Sequence, residues 1–160
     1  MSLEPFETVV TRYGPMVLRV CRAVVGPDAA DDAWSETFLS ALQAYPRLRP
    51  DSDVQGWLVT IAHRKAIDQI RAAARRPRPT DTLPERVTEA PAALWESDVW
   101  PVLQHLPPKQ RACVAYHHLV GLPYAEVAAI VGGTADAARR AAADGIKAMR
   151  TAVAAQEVRA

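Results

Sequence analysis

Apolar residues recur every three or four positions along most of this chain, the spacing that gives an amphipathic α-helix one buried face. In the N-terminal stretch the residues on this face are Phe6, Val9, Tyr13, Val17, Val20 and Val24. Strict alternation of apolar and polar residues, which would indicate a half-buried strand, does not extend over a useful length. The pattern therefore predicts an all-α protein.

Prolines and glycines divide this pattern into separate helices. A Gly-Pro pair at positions 26–27 ends the first helix. A second helix begins near Asp28, and its apolar positions are Ala30, Trp34, Phe38, Ala41, Leu42 and Tyr45. A third helix begins near Asp51 or Ser52, which are both good N-caps, and runs to about Arg75. The inner face of this third helix holds Val54, Leu58, Ile61, Ala62, Ala66 and Ile70.

The composition changes after the third helix. Prolines become frequent and large apolar residues become rare, which indicates an extended linker with one short helix near Trp95. Helical periodicity resumes in four shorter segments at about 102–106, 108–120, 123–131 and 134–153. The sequence therefore predicts two small helical domains, residues 1–76 and 101–160, joined by a linker at 77–100.

Charge follows the same divisions. The formal net charge is only +1, so the chain as a whole is not expected to attract nucleic acid. Residues 62–78, however, hold six basic residues and one acidic residue, a net charge of +5. Residues 79–100 hold five acidic residues and one basic residue, a net charge of −4. A basic helix is thus followed by an acidic linker.

The third predicted helix has an aromatic residue in line with its basic residues. Trp57, Arg64 and Arg71 are spaced seven apart, and Arg75 follows four later, so all four share one face. An indole beside a row of guanidinium groups suits single-stranded nucleic acid, because bases stack on the ring and the cations contact phosphates. The alternative is that Trp57 belongs to the core and the arginines form a solvated face.

Two groups of polar residues could suggest a metal site. Asp32 and Glu36 lie four apart near Asp31 on the second helix, and Cys113 lies four before His117. Neither pair has further ligands at suitable spacing, and acidic residues in a first helical turn also complement the helix dipole. The sequence therefore predicts no metal, no cofactor and no catalytic residue, and a partner-binding face or a helix cap is favoured for the acids.

The remaining composition points to the cytoplasm. Cys21 and Cys113 have no cysteine neighbours in sequence and are expected to be small buried residues in a reducing compartment. No apolar run is long enough to span a bilayer, and the acidic start of the chain is unlike a signal peptide. We therefore expect no membrane partner.

The C-terminal segment has the outline of a helix-turn-helix unit. Gly132-Gly133 supplies a turn, Thr134 is a suitable N-cap, and good helix formers follow it. Asp136 and Asp144, however, lie where a DNA-reading helix would be expected to carry basic or neutral residues. The geometry is typical of a helix-turn-helix, but many helical hairpins share it.

Three segments carry a resemblance to a known family. They are, in chain order, DAADDAWSETFLSALQAY, WLVTIAHRKAIDQIRAAARR and LPPKQRACVAYHHLVGLPYAEVAAIVG. They resemble the region two acidic helix, the region two Trp-Leu-x-x-Ile-Ala signature and the start of region four in extracytoplasmic-function sigma factors of the sigma-70 family. The resemblance covers nearly the whole chain, with the linker between the two regions.

The resemblance implies a sigma factor that binds core RNA polymerase, directs it to promoter DNA and assists promoter melting, without being an enzyme. An anti-sigma factor is a further expected partner. The residues that correspond to the core-polymerase contact are Asp31, Asp32 and Glu36. Those that correspond to the minus-ten surface and its base-capturing loop are Arg49, Asp51, Ser52, Gln55, Trp57, His63, Arg64, Arg71 and Arg75. Those that correspond to the minus-thirty-five contact are Arg111, Thr134, Arg139 and Arg140.

The chain also departs from the family pattern. Ala141, Asp144 and Ile146 stand where the pattern usually has arginine, and each lost cation weakens DNA binding. His63 stands where the pattern has arginine, which leaves the minus-ten sequence open. Two alternatives therefore remain. One is a degenerate sigma-like regulator that binds polymerase or another protein without directing initiation, and the other is a metal-dependent nuclease that uses the acidic residues of the second helix.

Overall fold

The computed structural model describes residues 2–75 and 99–159, and the secondary structure within these ranges is helical. The helices are α1 Phe6–Val25, α2 Pro27–Ala44, α3 Val54–Arg75, α4 Val99–Gln104, α5 Pro108–Val114, α6 Tyr124–Val131 and α7 Ala135–Arg159. A short 3-10 turn, Tyr45–Arg47, follows α2, and a π-helical turn, Ala115–Leu119, continues α5. The all-α prediction is confirmed. Most of the predicted linker, with its short helix near Trp95, lies outside the described residues, so the domain boundaries stay a prediction.

Residues 2–75 form a three-helix unit, here called the first lobe. Helices α1, α2 and α3 pack against one another in all three pairs. The predicted inner face of α1 is largely confirmed, since Val9, Val17, Val20 and Val24 are all buried. Burial of each such side chain stabilises the fold by about 1.5–3 kcal/mol.

Aromatic side chains close one end of the first lobe. The Trp34 indole Nε1 donates a 2.9 Å hydrogen bond to the carbonyl oxygen of Gly14, and the Trp34 and Phe38 ring centroids are 4.7 Å apart. The Tyr45 hydroxyl donates to the carbonyl oxygen of Glu4, which fixes the end of α2 against the N-terminus. The prediction that Leu42 lies on the inner face is wrong, because that side chain is 51% exposed.

Residues 99–159 form a second unit, here called the second lobe, in which α7 packs against α4, α5 and α6. The buried residues of α7 are small, namely Ala138, Ala142 and Gly145, which allows close approach to α5. Gly132 and Gly133 have φ angles of 93° and 90°, a conformation that residues with a Cβ rarely adopt. The Thr134 hydroxyl then accepts a 3.1 Å hydrogen bond from the Ala137 amide, so the predicted N-cap is confirmed.

The two lobes pack together and share one apolar core. Helix α1 contacts α4, α5 and the π-helical turn, and α3 contacts α6. Tyr116, in that turn, is fully buried, as are the thiols of Cys21 and Cys113. Burial raises the pKa of Cys21 to about 12, so this thiol stays protonated and unreactive at neutral pH. Within the described ranges, no helix is long and apolar enough to cross a membrane.

We predict that Gly145→Ala destabilises the protein, although alanine is the better helix former. An added Cβ would lie 2.7 Å from Val114 Cγ2, and overpacking of this kind costs about 1–3 kcal/mol. The double variant Gly145→Ala/Val114→Ala should lose less stability than the two single variants combined, because the clashing methyl group is gone.

Chemical denaturation measured by circular dichroism tests this cycle. Ala143→Gly, at an exposed position of the same helix, gives the propensity effect alone, which is about 1 kcal/mol. A Gly145→Ala variant that is more stable than the wild type by that amount would contradict the predicted clash, because it would show that α5 and α7 accommodate the added Cβ without loss of stability.

Candidate nucleic-acid interface

Helix α3 presents the basic residues that the sequence singled out. Arg64, Arg71 and Arg75 are exposed, and among the described residues none of them takes part in an ion pair. Their opposite face is anchored by the buried side chains of Leu58 and Ala62, so the helix cannot rotate without losing core packing. The guanidinium groups therefore remain directed to solvent, available to an anion.

Trp57 lies at the start of this face, partly buried. Its ring centroid is 6.3 Å from that of Tyr45, so the core supports one side of the indole. The rest of the indole forms a wall of an open groove of about 400 Å³, whose other lining residues are Ser40, Gln43, Ala44, Arg47 and Leu48. An aromatic wall beside polar groups and a cation is the environment that an unstacked base requires.

Two further residues that were predicted to contact DNA, Arg49 and Asp51, lie in the loop before α3 and form an ion pair with each other. Arg49 Nη2 lies 3.4 Å from Asp51 Oδ2, and both side chains are well exposed. The Ser52 amide donates a 3.0 Å hydrogen bond to the Arg49 carbonyl oxygen, which closes a tight turn. An exposed ion pair of this kind contributes little to stability, so Arg49 can exchange its partner for a phosphate.

Two other predicted minus-ten residues point to the second lobe instead of solvent. Gln55 Nε2 donates a 3.0 Å hydrogen bond to the Val120 carbonyl oxygen. His63 Nδ1 is 2.6 Å from the Tyr116 hydroxyl. Burial lowers the pKa of His63 below its usual value, because the charged imidazolium would lose hydration there. The structure thus separates Gln55 and His63 from the exposed arginines of the same helix.

In the second lobe, the four predicted minus-thirty-five residues have different surroundings. Thr134 caps α7, as described above. Arg139 Nη1 donates a 2.7 Å hydrogen bond to Asp136 Oδ1, and its guanidinium carbon lies 5.2 Å from the Tyr124 ring centroid. Arg140 is exposed and has no ion pair within the described part of the chain.

Arg111, the fourth of these residues, is directed to the first lobe. Its Nη1 donates a 2.7 Å hydrogen bond to the Val24 carbonyl oxygen, and its Nη2 donates to the carbonyl oxygens of Gln104 and Leu106. Burial lowers the pKa of Arg111. In this arrangement its guanidinium joins the end of α1 to the second lobe and is not directed to a DNA groove.

The acidic residues of α2 border a different groove of the first lobe. Asp31, Asp32 and Glu36 are exposed, and Asp32 and Glu36 line a groove of about 420 Å³ between α2 and α3 together with Asp68. Within residues 2–75 and 99–159, no three His, Cys, Asp or Glu side chains are grouped closely enough to hold a metal ion.

Sequence reasoning missed an apolar component of this α2 surface. Leu39 is 62% exposed and Leu42 is 51% exposed, although large apolar side chains are normally buried. The available signal was Leu39, an apolar residue that falls outside the helix's inner stripe. An exposed leucine pair beside exposed carboxylates is typical of a protein-docking surface.

Comparison with known proteins relates both lobes to one family. Residues 9–76 match the family described as Sigma-70 region 2, and residues 99–149 match Sigma-70, region 4. The ECF RNA polymerase sigma factor SigD of Mycobacterium tuberculosis is 35% identical over 158 residues, which covers 85% of this chain and 69% of SigD. The RNA polymerase sigma factor CarQ of Myxococcus xanthus is 31% identical over 157 residues, covering 92% of this chain and 88% of CarQ.

Solved structures support the same fold. RpoE of Bartonella quintana, crystallised with the anti-sigma factor NepR, matches with a TM-score of 0.74 and 17% identity over 91% of this chain and 94% of RpoE. CnrH, solved in complex with the cytosolic domain of CnrY, matches with a TM-score of 0.68 and 24% identity over 94% of this chain and 88% of CnrH.

We predict that the free energy of unfolding falls as the pH drops below about 6.5. His63 is buried in its neutral form, so the unfolded chain binds more protons in this range, and protonation favours unfolding. Denaturation at a series of pH values tests this, and an NMR titration of the His63 ring should give a pKa below 6.5.

The variant His63→Gln should show a weaker pH dependence. It should keep part of the dependence, because burial and the neighbouring His117 also lower the pKa of His118. A His63 ring that titrates at or above its usual value would contradict its burial against Tyr116.

Proposed function

The chain belongs to the extracytoplasmic-function family of RNA polymerase sigma factors, which direct transcription initiation. On this basis we propose a role for each of its exposed surfaces. The first lobe binds promoter DNA at the minus-ten element through α3 and helps to open it. The observation that carries this proposal is the row of exposed guanidinium groups of Arg64, Arg71 and Arg75 beside Trp57 and its groove.

The strand-opening step follows from the arrangement of these groups. Opening a duplex requires a place for an extruded base and cations for the exposed backbone. The groove beside Trp57 accepts the base, while Arg64 and Arg71 contact phosphates of the same strand. Because Trp57 is supported by Tyr45, little side-chain freedom is lost when a base stacks on it.

The α2 surface is the proposed contact with core polymerase. Asp31, Asp32 and Glu36 supply charge for orientation, and Leu39 and Leu42 supply apolar area that is buried on docking. This combination explains why two leucines remain exposed in the free chain.

The second lobe is proposed to contact the minus-thirty-five element with reduced strength. Arg140 is directly available, whereas Arg139 must leave Asp136 or share it with DNA. Arg111 is held by backbone carbonyl groups in the closed arrangement, so it contributes only if the lobes separate. Fewer available cations mean weaker binding and a flatter salt dependence.

We propose no catalytic step for this chain, since sigma factors are generally regulators that act on a polymerase. Its expected location is the cytoplasm, where its polymerase acts.

An anti-sigma factor is a further proposed partner, because RpoE and CnrH are both found in complexes with other proteins. The regulator that does not direct initiation remains the second candidate, favoured by the Arg139–Asp136 ion pair.

We predict that Arg64→Ala/Arg71→Ala reduces open-complex formation by roughly tenfold or more, because two phosphate contacts are lost. The salt dependence of binding to the single strand should also become flatter, by a slope of about 1.4. The measurement uses holoenzyme reconstituted with core polymerase, on a promoter selected by the wild-type holoenzyme.

The matched control is Arg19→Ala, which removes an exposed cation from α1 and should have little effect. Normal opening by the double variant would contradict the role of α3. No opening on any template by the wild-type holoenzyme would favour the non-initiating regulator.

We predict that Leu39→Ala/Leu42→Ala raises the Kd for core polymerase by roughly tenfold, since an apolar contact at an interface centre contributes on the order of 1 kcal/mol or more. Val158→Ala is the control, because Val158 is 87% exposed but lies at the end of α7. Equal affinity of the leucine variant and the control, measured by fluorescence anisotropy, would place the polymerase contact elsewhere.

A further inference from the structure

The first turn of α7 carries an acidic and a basic side chain that are bonded to each other on its exposed side. Arg139 Nη1 lies 2.7 Å from Asp136 Oδ1, and the Asp136 side chain is 87% exposed. The inner side of the same turn is anchored, because Ala138 is buried and the Thr134 hydroxyl accepts a hydrogen bond from the Ala137 amide. The two charged side chains are therefore held at one place on the outer face of the helix.

A row of ring contacts supports Arg139. Its guanidinium carbon lies 5.2 Å from the centroid of the Tyr124 ring, a distance at which a cation is attracted to the ring face. The Tyr124 ring is stacked on His117, with centroids 3.8 Å apart and 15° between the planes. His117 Nδ1 donates a 2.8 Å hydrogen bond to the Leu122 carbonyl oxygen, so the backbone holds the far end of the row. Arg139 is thus restrained by Tyr124 as well as by Asp136, and it loses little side-chain freedom when it binds a ligand.

Folding stability does not account for an acidic residue at position 136. An exposed ion pair contributes little to stability, and a carboxylate on a DNA-reading helix weakens binding because it approaches phosphates of the same sign. The N-terminal residues of such a helix, however, are the ones that reach the base edges in the major groove. A carboxylate at this place is able to discriminate between bases, which an aliphatic side chain does less well.

The edges of the bases differ in the groups that they present to a carboxylate. In the major groove cytosine presents an amino group, adenine presents one beside an acceptor nitrogen, and guanine and thymine present carbonyl oxygens. A carboxylate accepts a hydrogen bond from the cytosine amino group and repels the carbonyl oxygens, so it rejects the wrong bases as well as binding the right one. Arginine has the opposite preference, since two parallel N–H groups match O6 and N7 of guanine.

The spacing of the ion pair matches one G·C base pair. Guanine O6 and the cytosine amino nitrogen are hydrogen-bonded to each other, so they lie about 2.9 Å apart. The facing atoms of Arg139 and Asp136 are 2.7 Å apart, with the donor on one and the acceptor on the other. A guanidinium group has five N–H donors, so Arg139 keeps enough of them for guanine while it remains bonded to Asp136.

From these contacts we propose that Asp136 and Arg139 form a base-reading pair for one G·C base pair of the minus-thirty-five element. Arg139 donates to the guanine, and Asp136 accepts from the amino group of the cytosine. Tyr124 is a positioning residue, because it acts on the DNA only through Arg139. Asp136 lowers the affinity of the second lobe and raises its selectivity. The role of this base-reading pair rests on the minus-thirty-five contact proposed above for the second lobe.

Asp136→Ala should raise affinity and lower selectivity at the same time. Removing a charge that repels the phosphates should tighten promoter binding by about two- to threefold. Discrimination at the one G·C base pair should fall roughly fivefold, because the cytosine amino group loses its acceptor and carbonyl oxygens are no longer repelled. Asp144→Ala is the matched control, since Asp144 is also exposed on α7 but lies about 12 Å further along its axis. It should raise affinity without changing selectivity.

Further variants separate base reading from phosphate binding. Arg139→Lys keeps the charge but loses the parallel donors, so the preference for guanine should fall roughly fivefold while the salt dependence stays as in the wild type. Tyr124→Leu removes the ring beside Arg139 and should lower the same preference roughly threefold. Tyr124→Phe keeps the ring and should restore the wild-type preference. Thermal unfolding followed by circular dichroism establishes that each variant is folded.

The measurement uses holoenzyme reconstituted with core polymerase, on a promoter selected by the wild-type holoenzyme. Each base pair of the upstream element is replaced in turn by the others, and each altered promoter competes with the parent duplex for binding. The ratio of the two affinities gives the selectivity at that base pair, independently of the total affinity. Replacing the G·C base pair that is read should weaken binding by the wild type roughly fivefold or more.

The possible failures are distinguishable. If Asp136→Ala keeps the wild-type selectivity at every upstream base pair, the second lobe reads DNA without the base-reading pair. If Asp136→Ala and Asp144→Ala change selectivity equally, Asp136 acts only through its charge, and the base-reading pair is again overturned. If the wild-type holoenzyme tolerates every upstream replacement, the proposed minus-thirty-five contact fails, and the base-reading pair fails with it.

Discussion

The side chain of Tyr116 joins the two halves of this molecule. It is fully buried where α1, α3 and the π-helical turn meet, and its hydroxyl is bonded to His63. Its phenol pKa is raised, chiefly by burial and further by the nearby thiols of Cys21 and Cys113, so the group is neutral at physiological pH. A buried hydroxyl must keep a hydrogen-bond partner. The bond between Tyr116 and His63 therefore fixes how the second lobe is oriented on the first.

The same interface explains why some residues predicted to contact DNA are exposed to solvent while others are bonded to the second lobe. Residues on the outer side of α3, such as Arg64 and Arg71, remain exposed, while Gln55 and His63 face Val120 and Tyr116. A single helix thus carries one surface for an anion and another for the second lobe. The family resemblance assigns both sets of residues to the same task, but the free chain uses them for different contacts.

Periodicity predicted the helices well because helix formation depends on nearby residues. The inner face of α1 and the Thr134 cap are both local features, and the structure has them as expected. Leu42 was wrongly predicted to be buried because it lies at the edge of an apolar stripe that is about 100° wide. Whether a residue at that edge is covered depends on how α3 packs against α2, which the periodicity of α2 does not record. Contacts between lobes, such as those of Arg111 and Gln104, join residues more than eighty positions apart, and no periodic pattern records such pairs.

The shared apolar core also has a consequence for the lifetime of the protein. Each lobe alone is small, and small domains bury a lower fraction of their surface and are only marginally stable. While the lobes are packed, Val17, Leu103 and Tyr116 belong to one continuous interior, and the free chain should unfold as a single cooperative unit. A chain whose lobes come apart exposes this interior to cellular proteases, so the packing of the two lobes sets how long the protein survives in the cell.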